Sequence, residues 1–424
     1  MPMLASVSAR IEDSPLHATL PFAEPHHRAE LAADARAQIA FFRASLNPTR
    51  GFDLLDGAGV PIADHPQELH ATTRMVHSYA LAHAWGTPDC AAVLDAGMSA
   101  LWTRHRDADE GGYVWSFKDA GLADTTKLAY GHVFVLLAAS SALAVGHDDA
   151  PRLMDDISMV IEARFWDESA GRLREEYRKD WSAFSTYRGM NANMHGAEAF
   201  LGAYEATGQE VWLDRAGRIL GFFVGEMAAA NGWRIPEHYT EDWQVDPAYL
   251  GNPMFRPAGT TPGHALEFAR LLLQHWDLSG RANPAVPAQA RALIETALTD
   301  AWLDGGGLAY TLYPSGQVDV PDRYWWPVTE GLGALAALMK VEARPSDIEW
   351  YWRLWTFAKA HFIDSQRGGW FPEIDASGQP TGRQFVGKPD IYHSLQAVLF
   401  PLCPHLSGLF DDLRALPPQG EGLA

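Results

Sequence analysis

Apolar residues recur at three- and four-residue spacing along several stretches of this chain, and each such stretch reads as an amphipathic helix. The clearest cover residues 129–144, 212–228, 262–276, 287–302 and 327–341. Between them come glycine-punctuated, aromatic-rich segments: Glu110-Gly-Gly-Tyr-Val-Trp115, Gly171-Arg-Leu-Arg-Glu-Glu-Tyr177, Asn231-Gly-Trp-Arg-Ile-Pro-Glu-His238, Gly305-Gly-Gly-Leu-Ala-Tyr310 and Gly368-Gly-Trp-Phe-Pro-Glu373. They lie roughly 60 to 75 residues apart, which leaves room for a helix pair between successive segments. A lone pair cannot bury its apolar side, so repeated pairs must stack into an open solenoid or close into a ring. The repeat exceeds that of common helical solenoids and its loops are long, which favours closure; the spacing gives about six pairs. The predicted fold is all-α, an (α/α)6 barrel with short β-hairpins in the connecting loops.

No interior stretch is rich enough in Pro, Gly or Ser to serve as a linker, so residues 26–411 are expected to form one domain. Residues 1–25 read as an N-terminal arm and 412–424 as a C-terminal tail. A net charge of −20 leaves no basic stripe for a phosphate backbone, so nucleic acid and anionic membrane surfaces are unsuited as partners. Two cysteines, Cys90 and Cys403, exclude a disulfide framework and a four-cysteine metal site. With no signal-peptide pattern and no apolar stretch of bilayer length, a cytoplasmic enzyme is the expectation. The sixteen Trp and thirteen Tyr fit a large aromatic core, and their flat faces with polar edges also fit sugar rings.

Three histidine segments stand out. Asn191, His195 and Glu198 follow a four-then-three spacing that lines them along one stripe of a helix, beside an apolar stripe of Met190, Met194, Ala197, Leu201 and Tyr204. Thr261-Pro262-Gly263-His264 reads as a helix start with Thr261 as N-cap, which puts His264 in the first turn and Glu267 one turn on. Asp390-Ile-Tyr-His393 repeats that design, with Asp390 as the expected cap. The positive end of a helix disfavours imidazolium, so a histidine placed there stays neutral and available as a base. Glu267 is expected to orient His264 or to hold a substrate hydroxyl. In Trp325-Trp-Pro-Val-Thr-Glu330, Pro327 marks another helix start, with Trp326 placed to stack on a ring and Glu330 to bond a hydroxyl. Arg74 lies on a helix whose Met75 and Tyr79 side is apolar. For each of these residues an ordinary structural role competes: hydrogen-bonded core histidines, packed tryptophans, a surface arginine. There is no His-Glu-x-x-His, Walker, Rossmann or Gly-x-Ser-x-Gly motif, so metalloprotease, kinase, dinucleotide and serine-hydrolase chemistry have no local support. Neither a cofactor nor a metal site is expected.

Taken together and in order, Tyr187-Arg-Gly-Met-Asn-Ala-Asn-Met-His195, Thr261-Pro-Gly-His264, Trp326-Pro-Val-Thr-Glu330 and Gly387-Lys-Pro-Asp-Ile-Tyr-His393 resemble the N-acylglucosamine 2-epimerase superfamily, and within it the branch of D-mannose and sulfoquinovose isomerases. The resemblance runs from Arg74 to about Pro404. It implies an (α/α)6 barrel, a pocket at one mouth and metal-independent isomerisation of a monosaccharide such as mannose, fructose or lyxose. By that resemblance His264 and His393 are the acid and base, while Arg74, Tyr130, Asn191, His195, Glu267, Trp326 and Glu330 shape the pocket. Pro372 and Pro389 stand where the sulfoquinovose branch is expected to place glutamines, and proline offers no donor to a sulfonate, so mannose is favoured. A sugar 2-epimerase of N-acylglucosamine or cellobiose type is the nearest alternative. A glycoside hydrolase would need two carboxylates flanking the bond, and a non-catalytic sugar-binding role is the remaining option. The oligomeric state is open between monomer and homo-oligomer.

Overall fold

The computed structural model describes residues 20–251 and 256–417. Its inner layer holds six helices: α2 (Leu69–Ala84), α4 (Ala129–Ala144), α6 (Met190–Thr207), α8 (Pro262–Leu278), α10 (Trp325–Met339) and α12 (Tyr392–Leu399). Each touches the next, and α12 returns to α2, so the ring is closed. An outer layer backs it: α1 (Pro25–Phe42) on α12, α3 (Ala91–Ala100) on α2, α5 (Ala150–Val160) on α4, α7 (Glu210–Leu220) on α6, α9 (Val286–Ala301) on α8 and α11 (Pro345–His361) on α10. The predicted (α/α)6 barrel is therefore the observed fold.

The layering explains the sequence patterns. An inner helix has a neighbour on each flank and an outer helix behind, so it must be apolar nearly all round; all fifteen residues of α10 are buried. Outer helices have one dry face, and in α7 this face is Trp212, Leu213, Ala216, Ile219 and Leu220. The run predicted over 212–228 continues past α7 as a wider π-helical stretch, Gly221–Ala228. The helix expected to begin at Pro327 starts at Trp325; a proline within the first turn costs little, because amides there lack an intrahelical acceptor anyway.

The loops carry short antiparallel ladders of two or three strands. In four repeats the first amide of an inner helix donates to a carbonyl in the loop following the next outer helix: Leu69 to Trp115 (2.7 Å), Ala129 to Glu175 (2.8 Å), Met190 to Glu237 (3.0 Å) and Trp325 to Pro372 (3.2 Å). These bonds satisfy orphan helix-start donors and hold the loops over the mouth where the inner helices begin. Leu20 is buried and α1 starts at Pro25, so packing reaches into the expected N-terminal arm, whose residues 1–19 lie outside the described part. At the other end α13 (Leu409–Ala415) packs on α2 and buries Asp412 and Leu413, within the stretch expected to be a tail. Among the described residues no helix is long and apolar enough to cross a membrane. Both cysteines are free and buried.

Candidate active site

A cavity of about 400 Å³ opens at the mouth where the six inner helices start. Every inner helix contributes to its wall from its first turns: Arg74 from α2, Tyr130 from α4, Asn191 and His195 from α6, His264 and Glu267 from α8, Trp326 from α10 and His393 from α12. Residues up to 319 positions apart in sequence thus face one space because their helices all start at the same rim.

Two of these histidines are held alike. The Nδ1 of His264 meets both carboxylate oxygens of Glu237, at 3.0 and 3.1 Å. The Nδ1 of His393 meets Glu330 Oε1 at 2.8 Å. With Nδ1–H donated to a carboxylate, Nε2 is left as the acceptor, and the ring cannot swing away. Trp326 lies against both imidazoles, with ring centroids 5.0 Å from His264 and 6.0 Å from His393. Its indole fits there because position 263 is glycine: a Cβ at Gly263 would stand 2.3 Å from Trp326 Cζ3. Burial, reinforced by the Arg74 charge, pushes the His393 pKa down to about 3, so this imidazole is neutral throughout the neutral range.

Arg74 is clamped. Its Nη1 donates to Asp390 Oδ2 at 2.7 Å, its Nη2 to the Tyr130 hydroxyl at 2.9 Å, and its guanidinium lies 4.7 Å from the ring centroids of both Phe134 and Tyr392. Burial opposes the charge, but Tyr130 and Asp390 outweigh it and keep Arg74 firmly protonated. The site therefore presents a fixed cation beside two carboxylate-held imidazoles. Asp390, expected as a helix cap, stands one residue ahead of the cap position, which Ile391 takes; its Oδ1 still accepts the Tyr392 amide at 3.1 Å while Oδ2 holds Arg74.

Beneath the cavity floor lies a buried polar cluster. Glu198 accepts from His195 Nδ1 (3.3 Å), Arg270 Nη2 (3.4 Å) and the Tyr392 hydroxyl. Burial would raise its pKa, but the bond from His195 and the Arg270 charge hold it well below the usual carboxylate range. His195 itself is lowered to about 4 by burial. Burial pushes Glu330 the other way, up to about 7. Arg270 also approaches Glu267 (3.6 Å) and Glu330 (3.8 Å). Side-chain donors of His195, Glu198 and Glu267, and of Glu267, Glu330 and His393, fall within 4.8 Å of one another. Arg270 stands among the carboxylates of both groups.

The N-acylglucosamine 2-epimerase (GlcNAc 2-epimerase) family pattern matches residues 51–397, most of the chain, and reaches into all six inner helices. The chain belongs to this family. Among its relatives, the D-mannose isomerase of Thermobifida fusca is 42% identical over 401 residues, spanning 92% of this chain and 98% of that protein. The D-mannose isomerase of Pseudomonas cannabina pv. alisalensis is 39% identical over 403 residues, spanning 92% and 96%. A crystal structure of a D-mannose isomerase superposes with a TM-score of 0.82 at 31% identity, covering 88% of this chain and 97% of that one. The chain is accordingly an enzyme of the aldose–ketose isomerase and sugar epimerase class.

Within this family framework most of the expected site residues meet in the cavity wall, Glu267 among them. Of its two expected roles, orienting His264 falls to Glu237 from the rim loop, and facing a substrate hydroxyl stays open. Glu330 stands behind His393 instead of facing the cavity. Glu237, Asp390 and Tyr392 were not singled out as site residues from sequence. Glu237 does sit in one of the repeated glycine-punctuated segments, at the rim position that Glu175 occupies one repeat earlier, and that register was the available signal. Pro389 lines the cavity, whereas Pro372 spends its carbonyl on the rim.

Proposed function

We propose that the protein interconverts D-mannose and D-fructose, with D-lyxose as a further aldose substrate, by proton transfer through a cis-enediol without a metal. The supporting observation is the pair of carboxylate-held histidines, Glu237–His264 and Glu330–His393, placed around Trp326 at one cavity beside a clamped Arg74. An aldohexose must open, lose its C2 proton, pass through an enediol and regain a proton at C1. Neutral imidazoles suit a carbon-bound proton near neutral pH. His393 carries the proton from C2 to C1, with Glu330 offsetting the imidazolium that forms in between. His264 opens the ring and moves protons among the ring oxygen, O1 and O2. Arg74 polarises O1 or O2, the task a divalent ion performs in other isomerases.

The alternative is 2-epimerisation, in which the proton returns to the opposite face of C2; two histidines from separate helices are compatible with it. The deciding experiment incubates metal-stripped protein with D-mannose in D₂O and follows products by NMR. Fructose is expected, at a rate unchanged by chelator, with deuterium at C1 only to the extent that the proton on His393 exchanges with solvent before it is returned. Glucose as sole product would establish the epimerase, and activity restored only by a divalent ion would overturn the metal-free mechanism. Faster turnover of sulfoquinovose than of mannose would move the protein to the sulfonate-sugar branch.

A further inference from the structure

Glu267 is fully buried, forms part of the cavity wall, and has no hydrogen-bond partner on either carboxylate oxygen. A buried carboxylate with both oxygens orphaned is costly and requires an explanation. Its surroundings supply one. The charged and titratable groups facing it are Arg74 on α2, Tyr130 on α4, His195 and Glu198 on α6, Arg270 on its own helix, Glu330 on α10, and Tyr392 and His393 on α12. Arg74 is committed to Asp390 at 2.7 Å. One guanidinium, Arg270, is therefore shared by three carboxyl groups, at 3.4 Å from Glu198, 3.6 Å from Glu267 and 3.8 Å from Glu330. His195 and His393 are kept neutral by burial and add no charge. Like charges this close cannot all ionise, so the cluster must hold at least one carboxyl proton. Glu198 receives three donors and is the anion, while Glu330 is engaged by His393. Glu267 alone receives none.

We propose that Glu267 is a neutral carboxylic acid at working pH and that its O–H faces the sugar, donating a hydrogen bond to the enediol oxygen that gains negative charge as the carbon-bound proton leaves. The proton stays on Glu267 throughout: no bond to it breaks, and it acts as a preorganised donor opposite the charge that develops. A carboxylic acid held neutral in an apolar site can serve another enolising reaction in this way. The inference rests on the isomerase reading of the site for its role, but the proton itself does not depend on that reading.

Two measurements separate the parts. Infrared spectra of the sugar-free enzyme at neutral pH, parent minus Glu267→Gln, are expected to show the carbonyl stretch of a protonated acid. A neutron structure of the parent, which needs no variant, is expected to show a deuteron on Glu267. Absence of the proton in either overturns the proposal whatever the enzyme's substrate. With mannose, Glu267→Gln keeps a neutral donor and should retain kcat within about tenfold, while Glu267→Ala should lose on the order of 10²- to 10³-fold. Glu267→Gln should also keep its rate to higher pH than the parent, because it cannot ionise. A glutamine variant as impaired as the alanine one, with the infrared band present, would mean that the proton exists but does not serve catalysis.

Discussion

Glu237 holds His264 with both carboxylate oxygens although the two residues lie on different elements, one in a rim loop and one in the first turn of α8. The loop is itself pinned by the Met190 amide to the Glu237 carbonyl, so one residue joins the α6 start to the His264 imidazole on α8. Alanine at His264 or His393 is expected to lower kcat by about 10²- to 10⁴-fold. Glu237→Gln should approach the same loss with KM little changed, because an amide no longer selects the Nδ1–H tautomer. Steady-state kinetics with mannose checks both, and activity within a few fold of the parent in His393→Ala would sink the assignment.

Arg74 bonds two partners from one planar group, Asp390 and Tyr130, and lies over two aromatic rings. Lysine keeps the charge but is a point donor that cannot span both bonds. Arg74→Lys is expected to fold and to lose kcat by at least about 10²-fold. Parent-like kcat in that variant would show that charge alone suffices.

Gly263 is where the sequence yields to Trp326. The added methyl of Gly263→Ala would meet the indole at 2.3 Å, so the ring must shift from its place beside both histidines. A rise in KM for mannose and a change in tryptophan fluorescence are expected together; unchanged values of both would show that the indole tolerates displacement.

Acid stability follows from histidines outside the site. Burial lowers His105 and His132 to about 3. Both have their two ring nitrogens engaged: His105 with Val114 and Thr72, His132 with Leu128 and Tyr113. A histidine whose folded pKa lies below its unfolded value stabilises the fold above about pH 6.5, and this is lost as pH falls towards the folded value. Each such group contributes a slope of about 1.4 kcal/mol per pH unit in that window. Asp34 and Glu175, raised by burial to about 6 and about 7, act in the opposite sense: what they add is present below their unfolded values and lost as pH rises through 6 to 7. These opposing slopes overlap between pH 4 and 6.5, so the test is a difference: in denaturant unfolding over that range, His105→Gln should make the slope of stability against pH less positive than the parent's by about 1.4 kcal/mol per pH unit; an unchanged slope would remove His105 from the account.

How much of this was legible beforehand depended on whether the signal was local. α4 was readable to its ends, Ala129 and Ala144, because an inner helix announces itself by continuous apolar periodicity. Six pairs followed from loop spacing. That the sixth pair is α1 on α12 was not visible, since Gln38 and Ser394 bond across 356 positions and no spacing rule reaches that far. The histidines at helix starts were found because caps and prolines are local marks. The partner of His264 was not visible for the same reason: spacing offers Glu267, three residues on along the helix, as one candidate, while the residue that holds the imidazole arrives from a loop 27 positions away. Asp390 was read as a cap because a sequence shows a carboxylate beside a helix but not the arginine that takes its other oxygen.

The ring has a last piece. Its final inner helix, α12, carries His393, packs between α10 and α2, and is covered from outside by α1 from the opposite end of the chain. Until α12 is made, the cavity has an open side, the Arg74 clamp lacks Asp390, and one of the two carboxylate-held histidines is missing. On the proposed mechanism, the site is complete only when the circle closes.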